Sequence, residues 1–317
     1  MKDKFVLGSR GSQLALWQTY YIKGLLQSFF PALELEIKII QTTGDAVLDT
    51  ALSKIGDKGL FTRQIEDELL NGSIDLAVHS LKDLPTKLPE GLKLGGVTTR
   101  ETPNDVLISD KYSSIDELPQ NARVATGSLR RRSQLLAYRP DLEILEIRGN
   151  VPTRLKKFQE SDLDAMILAF AGVHRLDLDI HIKQVIPTEI MLPAVGQGVV
   201  GIEIRASDPE TKEILMPIIN HETLSCIIAE RSFLRRLEGG CQVPIGGYAV
   251  LEDDKIFLSG FTGSLDGKTS LKDSIRGNRA DAEILGAELA ETLIERGANE
   301  LLAETRQEAK AKSEQVI

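Results

Sequence analysis

Cysteine is scarce: Cys226 and Cys241 are the only two in 317 residues. That is too few for a disulfide framework, and in a chain of this length they read as reduced thiols, one of which has a chance of being chemical. Histidine is nearly as rare. His79, His174, His181 and His221 show no His/Cys spacing of a zinc site, and there is no glycine-rich Walker loop. Metal, nucleotide and Ser-His-Asp chemistry therefore lack support, and the expectation for a metal is none. Long apolar runs are missing too. Met1-Lys2-Asp3-Lys4-Phe5-Val6-Leu7-Gly8 reaches Ser9 and Arg10 before a signal-type segment forms, and no stretch approaches the ~18–20 apolar residues of a membrane span. Cytoplasmic residence and no membrane partner are expected. An excess of positive charge is lacking as well: the formal net charge is −9, which argues against nucleic acid or an anionic membrane surface as partner.

What remains is a globular composition, 42% hydrophobic and 27% charged. The chain exceeds the ~250–300 residues at which single cores stop growing, so several lobes are expected. The acidic average hides a local reversal. Between Arg123 and Lys157 stand nine basic residues (Arg123, Arg130, Arg131, Arg132, Arg139, Arg148, Arg154, Lys156, Lys157) against Asp141, Glu143 and Glu146. A concentrated basic segment in an acidic protein points to a small anionic ligand.

Phe5-Val6-Leu7 reads as a strand, followed by a tight turn and a long amphipathic helix carrying Leu14, Leu16, Trp17, Tyr21 and Leu25. Leu33 to Ile40 alternates as a second strand, Gly59 to Leu70 reads as a helix closed by Asn71-Gly72, and Ile74 to Val78 as a third strand. The βαβ pattern predicts a largely parallel sheet. A comparable unit begins near Asn104, with strands at Arg123–Thr126, Leu142–Ile147 and Ala165–Ala169 and helices from about Ser128 and Val151. Val199 to Ile204 reads as a strand that either lobe is able to claim. From about Glu222 a helix, strands near Ile245–Leu251 and Ile256–Phe261, and a helix from Ala280 to Arg296 make a small α+β domain; residues 300 to 317 form a charged tail, helical or frayed.

Gly196-Gln197-Gly198-Val199-Val200-Gly201 matches the dinucleotide fingerprint literally, but Pro193 precedes it and a strand-like run follows, so a hinge or backbone-rich ligand loop is preferred. Ser80-Leu81-Lys82-Asp83-Leu84-Pro85 follows a strand, at the edge of a parallel sheet where ligands collect. A Lys–Asp pair on a surface loop is usually just solvated, but Asp83 in a cleft would stabilise a cation or move protons on a nearby nitrogen. Ser128-Leu129-Arg130-Arg131-Arg132-Ser133 occupies another strand-to-helix junction, where free N–H groups and guanidinium forks favour carboxylates or phosphates. An exposed helix face would account for Arg132 and Arg139 but less comfortably for the set that includes Arg10, Arg148 and Arg154. Cys241 follows two glycines in an accessible loop, whereas Cys226 fits inert packing.

Gly8-Ser9-Arg10, Lys58-Gly59-Leu60-Phe61, His79-Ser80-Leu81-Lys82-Asp83-Leu84-Pro85, Gly127-Ser128-Leu129-Arg130-Arg131, Ile147-Arg148-Gly149-Asn150-Val151 and Gly240-Cys241-Gln242-Val243-Pro244-Ile245-Gly246 together resemble the hydroxymethylbilane synthase (porphobilinogen deaminase) family in order and spacing, from about residue 5 to 297. The resemblance implies an α/β fold: two periplasmic-binding-protein-like lobes with mainly parallel sheets (1–99 with 199–217, and 104–193) and a C-terminal cofactor-anchoring α+β domain (222–317). It implies a transferase in which four porphobilinogens condense head to tail with loss of ammonia on a dipyrromethane primer held to Cys241 by a thioether, before water releases hydroxymethylbilane for haem and porphyrin synthesis. Each pyrrole carries an acetate and a propionate, which gives the many arginines a purpose. In this reading Asp83 is catalytic; Cys241, Lys82, Asp83, Ser128, Arg130, Arg131 and Arg154 hold the cofactor; Arg10, Ser12, Arg148, Arg154, Arg175 and Gln197 bind substrate. A monomer with porphobilinogen as its partner is implied. Two rivals stay open: a non-catalytic two-lobed anion-binding module, and a group-transfer enzyme using Cys241 as turnover nucleophile.

Overall fold

The computed structural model describes residues 2–46, 62–237 and 243–314; the Lys58–Phe61 run and Cys241 lie outside the described residues. Phe5 and Leu7 alternate inward along β1 (Lys4–Ser9), and both are fully buried. The chain continues through α1 (Gln13–Phe29), β2 (Glu34–Ile39), the short α2 (Thr43–Ala46), α3 (Arg63–Leu70), β3 (Leu76–Ser80) and β4 (Leu92–Val97). The first sheet has the order β2-β1-β3-β10-β4, where β10 is Val200–Arg205. β1 runs parallel to β2 and β3, as the βαβ pattern requires, while β10 enters antiparallel between β3 and β4. The strand the sequence left unassigned thus belongs to the first sheet.

Helix α1 is rotated from its sequence-based reading. Its buried residues are Gln18, Thr19, Ile22 and Leu26, while Trp17, Tyr20 and Tyr21 face outward and Trp17 stacks on Tyr21. Gln18 and Thr19 tolerate burial because both are hydrogen-bonded, to Ser80 and Ser9 respectively. A hydrophobic count misses such a polar inward face.

The second sheet repeats the plan with β5 (Asp105–Ile108), β6 (Arg123–Ala125), α4 (Leu129–Tyr138), β7 (Glu143–Leu145), α5 (Val151–Gln159), β8 (Ala165–Ala169), α6 (Phe170–His174) and β9 (Ile182–Val185), in the order β7-β6-β8-β5-β9. β6 is parallel to β7 and β8, and β5 is antiparallel to β8 and β9. Each sheet is therefore a parallel trio extended by an antiparallel strand and an edge strand. After β10 come α7 (Pro209–Leu215) and α8 (His221–Arg236). A third sheet is the antiparallel meander β11 (Ile245–Glu252), β12 (Lys255–Gly263) and β13 (Ser270–Asn278), followed by α9 (Ala282–Glu295) and α10 (Ala298–Glu314). Asp253 and Asp254, both at positive φ, make the two-residue hairpin that pairs Glu252 with Lys255. The charged C-terminal stretch is helical, and its Leu301 and Leu302 are buried.

Among the described residues, 2–46, 62–101 and 198–224 form one compact unit; 102–197, 225–237 and 243–314 form another. Within the second unit α8 and α9 cross closely enough that a Cβ on Gly286 would lie 2.2 Å from the Ala229 carbonyl oxygen. Helix backbone cannot yield as a side chain can, so Gly286→Ala is expected to lower stability by about 1–3 kcal/mol despite alanine's better helix propensity. Urea unfolding of the two proteins measures this; an unchanged or higher midpoint would refute the close crossing.

Candidate functional site

The expected site residues gather at corresponding places in the two sheets. Arg10 and Ser12 follow β1, and Lys82 and Asp83 follow β3; Ser128, Arg130 and Arg131 follow β6, Arg148 and Arg154 follow β7, and Arg175 follows β8 by way of α6. All lie beyond the carboxyl ends of parallel strands, where α/β sheets bind ligands. Gln197 sits elsewhere, in the loop before β10.

In the first unit Ser12 caps α1, its Oγ accepting the Ala15 N–H at 3.3 Å. Lys82 and Asp83 ride a single 3-10 turn, Leu81–Asp83. That turn is fixed by the buried Leu81: its N–H donates to the Val199 carbonyl at 3.0 Å, and its side chain fills the space a Cβ on Gly201 would need. Asp83 is exposed and Lys82 half-buried. Beneath them lies a polar group that sequence reasoning missed. His79 Nε2 stands 3.1 Å from Glu203 Oε2, both groups buried, and burial raises the nearby Glu66 carboxyl above its ordinary value.

In the second unit the central feature is also unforeseen. Asp105, fully buried at the start of β5, accepts from Arg131 Nε at 3.0 Å and from its NH2 group at 2.8 Å. Its other oxygen lies 2.8 Å from an Arg130 guanidinium nitrogen, and Gln197 Nε2 donates to Oδ1 at 2.9 Å. The same three side chains also donate to main-chain carbonyls: Arg130 to that of Leu192, Arg131 to that of Ile167, Gln197 to that of Pro103. Burial alone would raise the Asp105 carboxyl; the two guanidinium charges outweigh it and hold the group well below the usual carboxylate range. Burial in turn draws Arg130 down from its ordinary value, against the pull of Asp105.

Ser128 caps α4 through the Arg131 N–H, and Asn150 caps α5 through the Thr153 N–H, which brings Arg154 onto the first turn of that helix. Arg148 pairs with the exposed Glu146 at 3.0 Å, and Arg175 is buried. Arg132 and Arg139 serve structure. Arg132 donates to the Leu265 and Ile144 carbonyls, and Arg139 binds Asp141 and the carbonyls of Ile115 and Leu118. Two buried arginines against one aspartate leave a positive surplus in the Asp105 cluster. Together with Arg148, Arg154 and the two capped helix starts, this donor set suits a ligand carrying several carboxylates, as a dipyrromethane does.

A family model described as porphobilinogen deaminase, dipyromethane cofactor binding domain, matches residues 5–213, and one described as porphobilinogen deaminase, C-terminal domain, matches residues 224–295. A porphobilinogen deaminase of Chlorobium phaeobacteroides (strain BS1) is 53% identical over 310 residues, covering 96% of this chain and 99% of the relative. One of Carboxydothermus hydrogenoformans is 50% identical over 309 residues, covering 98% of this chain and 99% of the relative. Among solved structures, a methionine-binding lipoprotein of Bacillus subtilis aligns with TM-score 0.44 and 13% identity over 70% of this chain and 92% of its own.

Removing the Asp105 charge would leave two buried guanidinium groups without their counter-ion. Asp105→Asn is expected to lower stability by about 3–5 kcal/mol at neutral pH. Because the folded carboxyl is depressed, its stabilisation is complete above the unfolded value of about 3.9 and disappears as pH falls through the folded one. The gap between the two proteins should therefore be flat above about pH 5 and close in strong acid. Denaturant titrations at several pH values check this, and a gap that widens on acidification would contradict it.

Proposed function

The chain belongs to the porphobilinogen deaminase family, and from that premise we propose how its own residues divide the work. The activity is that of a hydroxymethylbilane synthase, a transferase of tetrapyrrole biosynthesis that joins four porphobilinogens with loss of ammonia and uses a dipyrromethane cofactor. The observation that carries this is the match of both family models across nearly the whole chain. When bound, the dipyrromethane supplies the nucleophilic ring carbon from which the product grows.

Cys241 is the attachment point, as a thiol in a glycine-flanked segment suits thioether formation. Lys82, Ser128, Arg130, Arg131 and Arg154 hold cofactor carboxylates, and Arg10, Ser12, Arg148, Arg154, Arg175 and Gln197 serve the substrate. Apart from Gln197, these residues lie beyond the ends of parallel strands, which supports a ligand-binding role for them. Gln197 and the two arginines around Asp105 act as one hydrogen-bonded set, so carboxylate binding there is preorganised. Asp83 is the catalytic group: its carboxylate offsets the positive charge that develops on the substrate ring as ammonia leaves, and takes or returns the pyrrole N–H proton. The pinned turn at Leu81 holds it in place.

The domain division that accompanies this reading is 1–99 with 199–217, 104–193, and 222–317, supported by the presence of three separate sheets. A cytoplasmic monomer acting on a small molecule, without nucleic acid or membrane, completes it. The net charge of −9 supports the exclusion of nucleic acid, and among the described residues no helix is long and apolar enough to cross a membrane.

Intact-protein mass spectrometry with peptide mapping is the direct test. A two-pyrrole adduct on Cys241 is expected in the parent and absent in Cys241→Ala. An unmodified parent that gains no adduct from porphobilinogen would leave a simple anion-binding module as the better reading. For Asp83→Asn, kcat should fall by about 10²-fold or more with a far smaller change in KM, measured on adduct-bearing protein. A kcat within twofold of the parent, on the order of experimental scatter, would remove Asp83 from the chemistry.

A further inference from the structure

Glu230 lies in α8 and is fully buried. Its Oε2 accepts the Gly196 N–H at 2.8 Å, and its Oε1 accepts the Ala249 N–H at 2.8 Å. One carboxylate thus engages the main chain of two distant segments through charge-assisted hydrogen bonds, the stronger kind. Those segments also touch directly. The Gly247 N–H donates to the Pro193 carbonyl at 3.0 Å, and Cβ atoms on Gly246 or Gly247 would come within 3.0 Å of the Leu192 carbonyl or 2.9 Å of Val195.

The contacts continue on both sides. Gly196 is followed by Gln197, whose amide reaches Asp105 and through it Arg130 and Arg131. Ala249 belongs to β11, which begins just after the segment containing Cys241, and α8 ends just before that segment. Glu230 is therefore joined to both chain ends flanking the attachment cysteine and, by way of Gln197, to the buried arginines.

We propose that Glu230 is a positioning residue for the reaction: its carboxylate holds β11 and the Gln197 loop in one register, so that a primer attached at Cys241 meets the arginine cluster around Asp105 in one orientation. This rests on Cys241 being the attachment point. Glu230→Gln keeps the size of the side chain but turns an NH2 group toward one of the two N–H donors, which breaks the double engagement.

The test uses the whole chain, with Leu302→Ala as a control that thins the same C-terminal core, where Leu302 is 1% exposed. Thermal unfolding, adduct loading by intact mass, and kcat and KM of the loaded fraction are measured for parent, E230Q and L302A. E230Q is expected to load or turn over roughly tenfold to a hundredfold more slowly with little change in KM, as misplacement of a reacting group by about 1 Å produces. L302A should lose thermal stability while keeping the loading and kcat of the parent. E230Q that tracks L302A in loading and kcat overturns the proposal alone; a parent without adduct on Cys241 sinks the attachment assignment and this proposal with it. Amide exchange supplies a reading that needs no change at Glu230. Coupling is reciprocal, so the Gly196 and Ala249 amides should both exchange faster in Cys241→Ala than in adduct-bearing parent, by about tenfold, and unchanged exchange at both overturns the proposal.

Discussion

Two guanidinium groups cannot be buried side by side unless something negative is buried with them, and Asp105 is that group. Its position at the start of β5 decides much else. Arg130 and Arg131 belong to the first turn of α4, so the pairing fixes how that helix meets the sheet. Gln197 completes the shell and ties in the loop before β10. The Leu192 carbonyl, shared by Arg130 and Gln134, adds the chain that leads into that loop. One carboxylate thus orders a helix start, a strand and a loop. The two guanidinium groups it pairs with carry one more charge than it cancels.

Much of the fold was legible in the sequence because the signals were local. The strand-turn-helix units that start at Phe5, Arg123 and Glu143 have period, cap and turn residues within a few positions of one another, and the Asp253-Asp254 hairpin declares itself in four. The basic loops were legible for the same reason. Asp105, Glu203 and Glu230 were not, since each finds its partners far along the chain: Arg131 is 26 residues from Asp105, His79 is 124 from Glu203, and Gly196 is 34 from Glu230. A lone acidic residue in a short strand or a mixed helix carries no periodicity to mark it. The rotation of α1 has a related cause, as Gln18 and Thr19 are polar and the partners that let them be buried, Ser80 and Ser9, stand on neighbouring strands.

The arginines that looked alike in sequence separate in the structure by what their backbone already provides. Arg139 stands at the end of α4, where open carbonyls and Asp141 engage it. Arg132, one turn into the helix, spans to the β12–β13 turn at Leu265. Arg130 and Arg131 turn inward to Asp105, whereas Arg148 pairs with the exposed Glu146 and Arg123 with the exposed Glu143 and Asp162. Position relative to helix ends and strand edges, rather than composition, decides which partner each arginine of a basic run finds.

The placement of β10 has a consequence for how the chain comes into being. It is hydrogen-bonded on both sides, to β3 and β4, yet it is made roughly a hundred residues after them. At a synthesis rate of about 5–20 residues per second, the ribosome leaves β3 and β4 without their shared neighbour for on the order of five to twenty seconds. During that interval every strand of the second sheet emerges in one uninterrupted stretch, from β5 to β9. The lobe that begins the protein is thus the one whose sheet closes later, and its two waiting edges are where a nascent chain most needs shelter from wrong pairing.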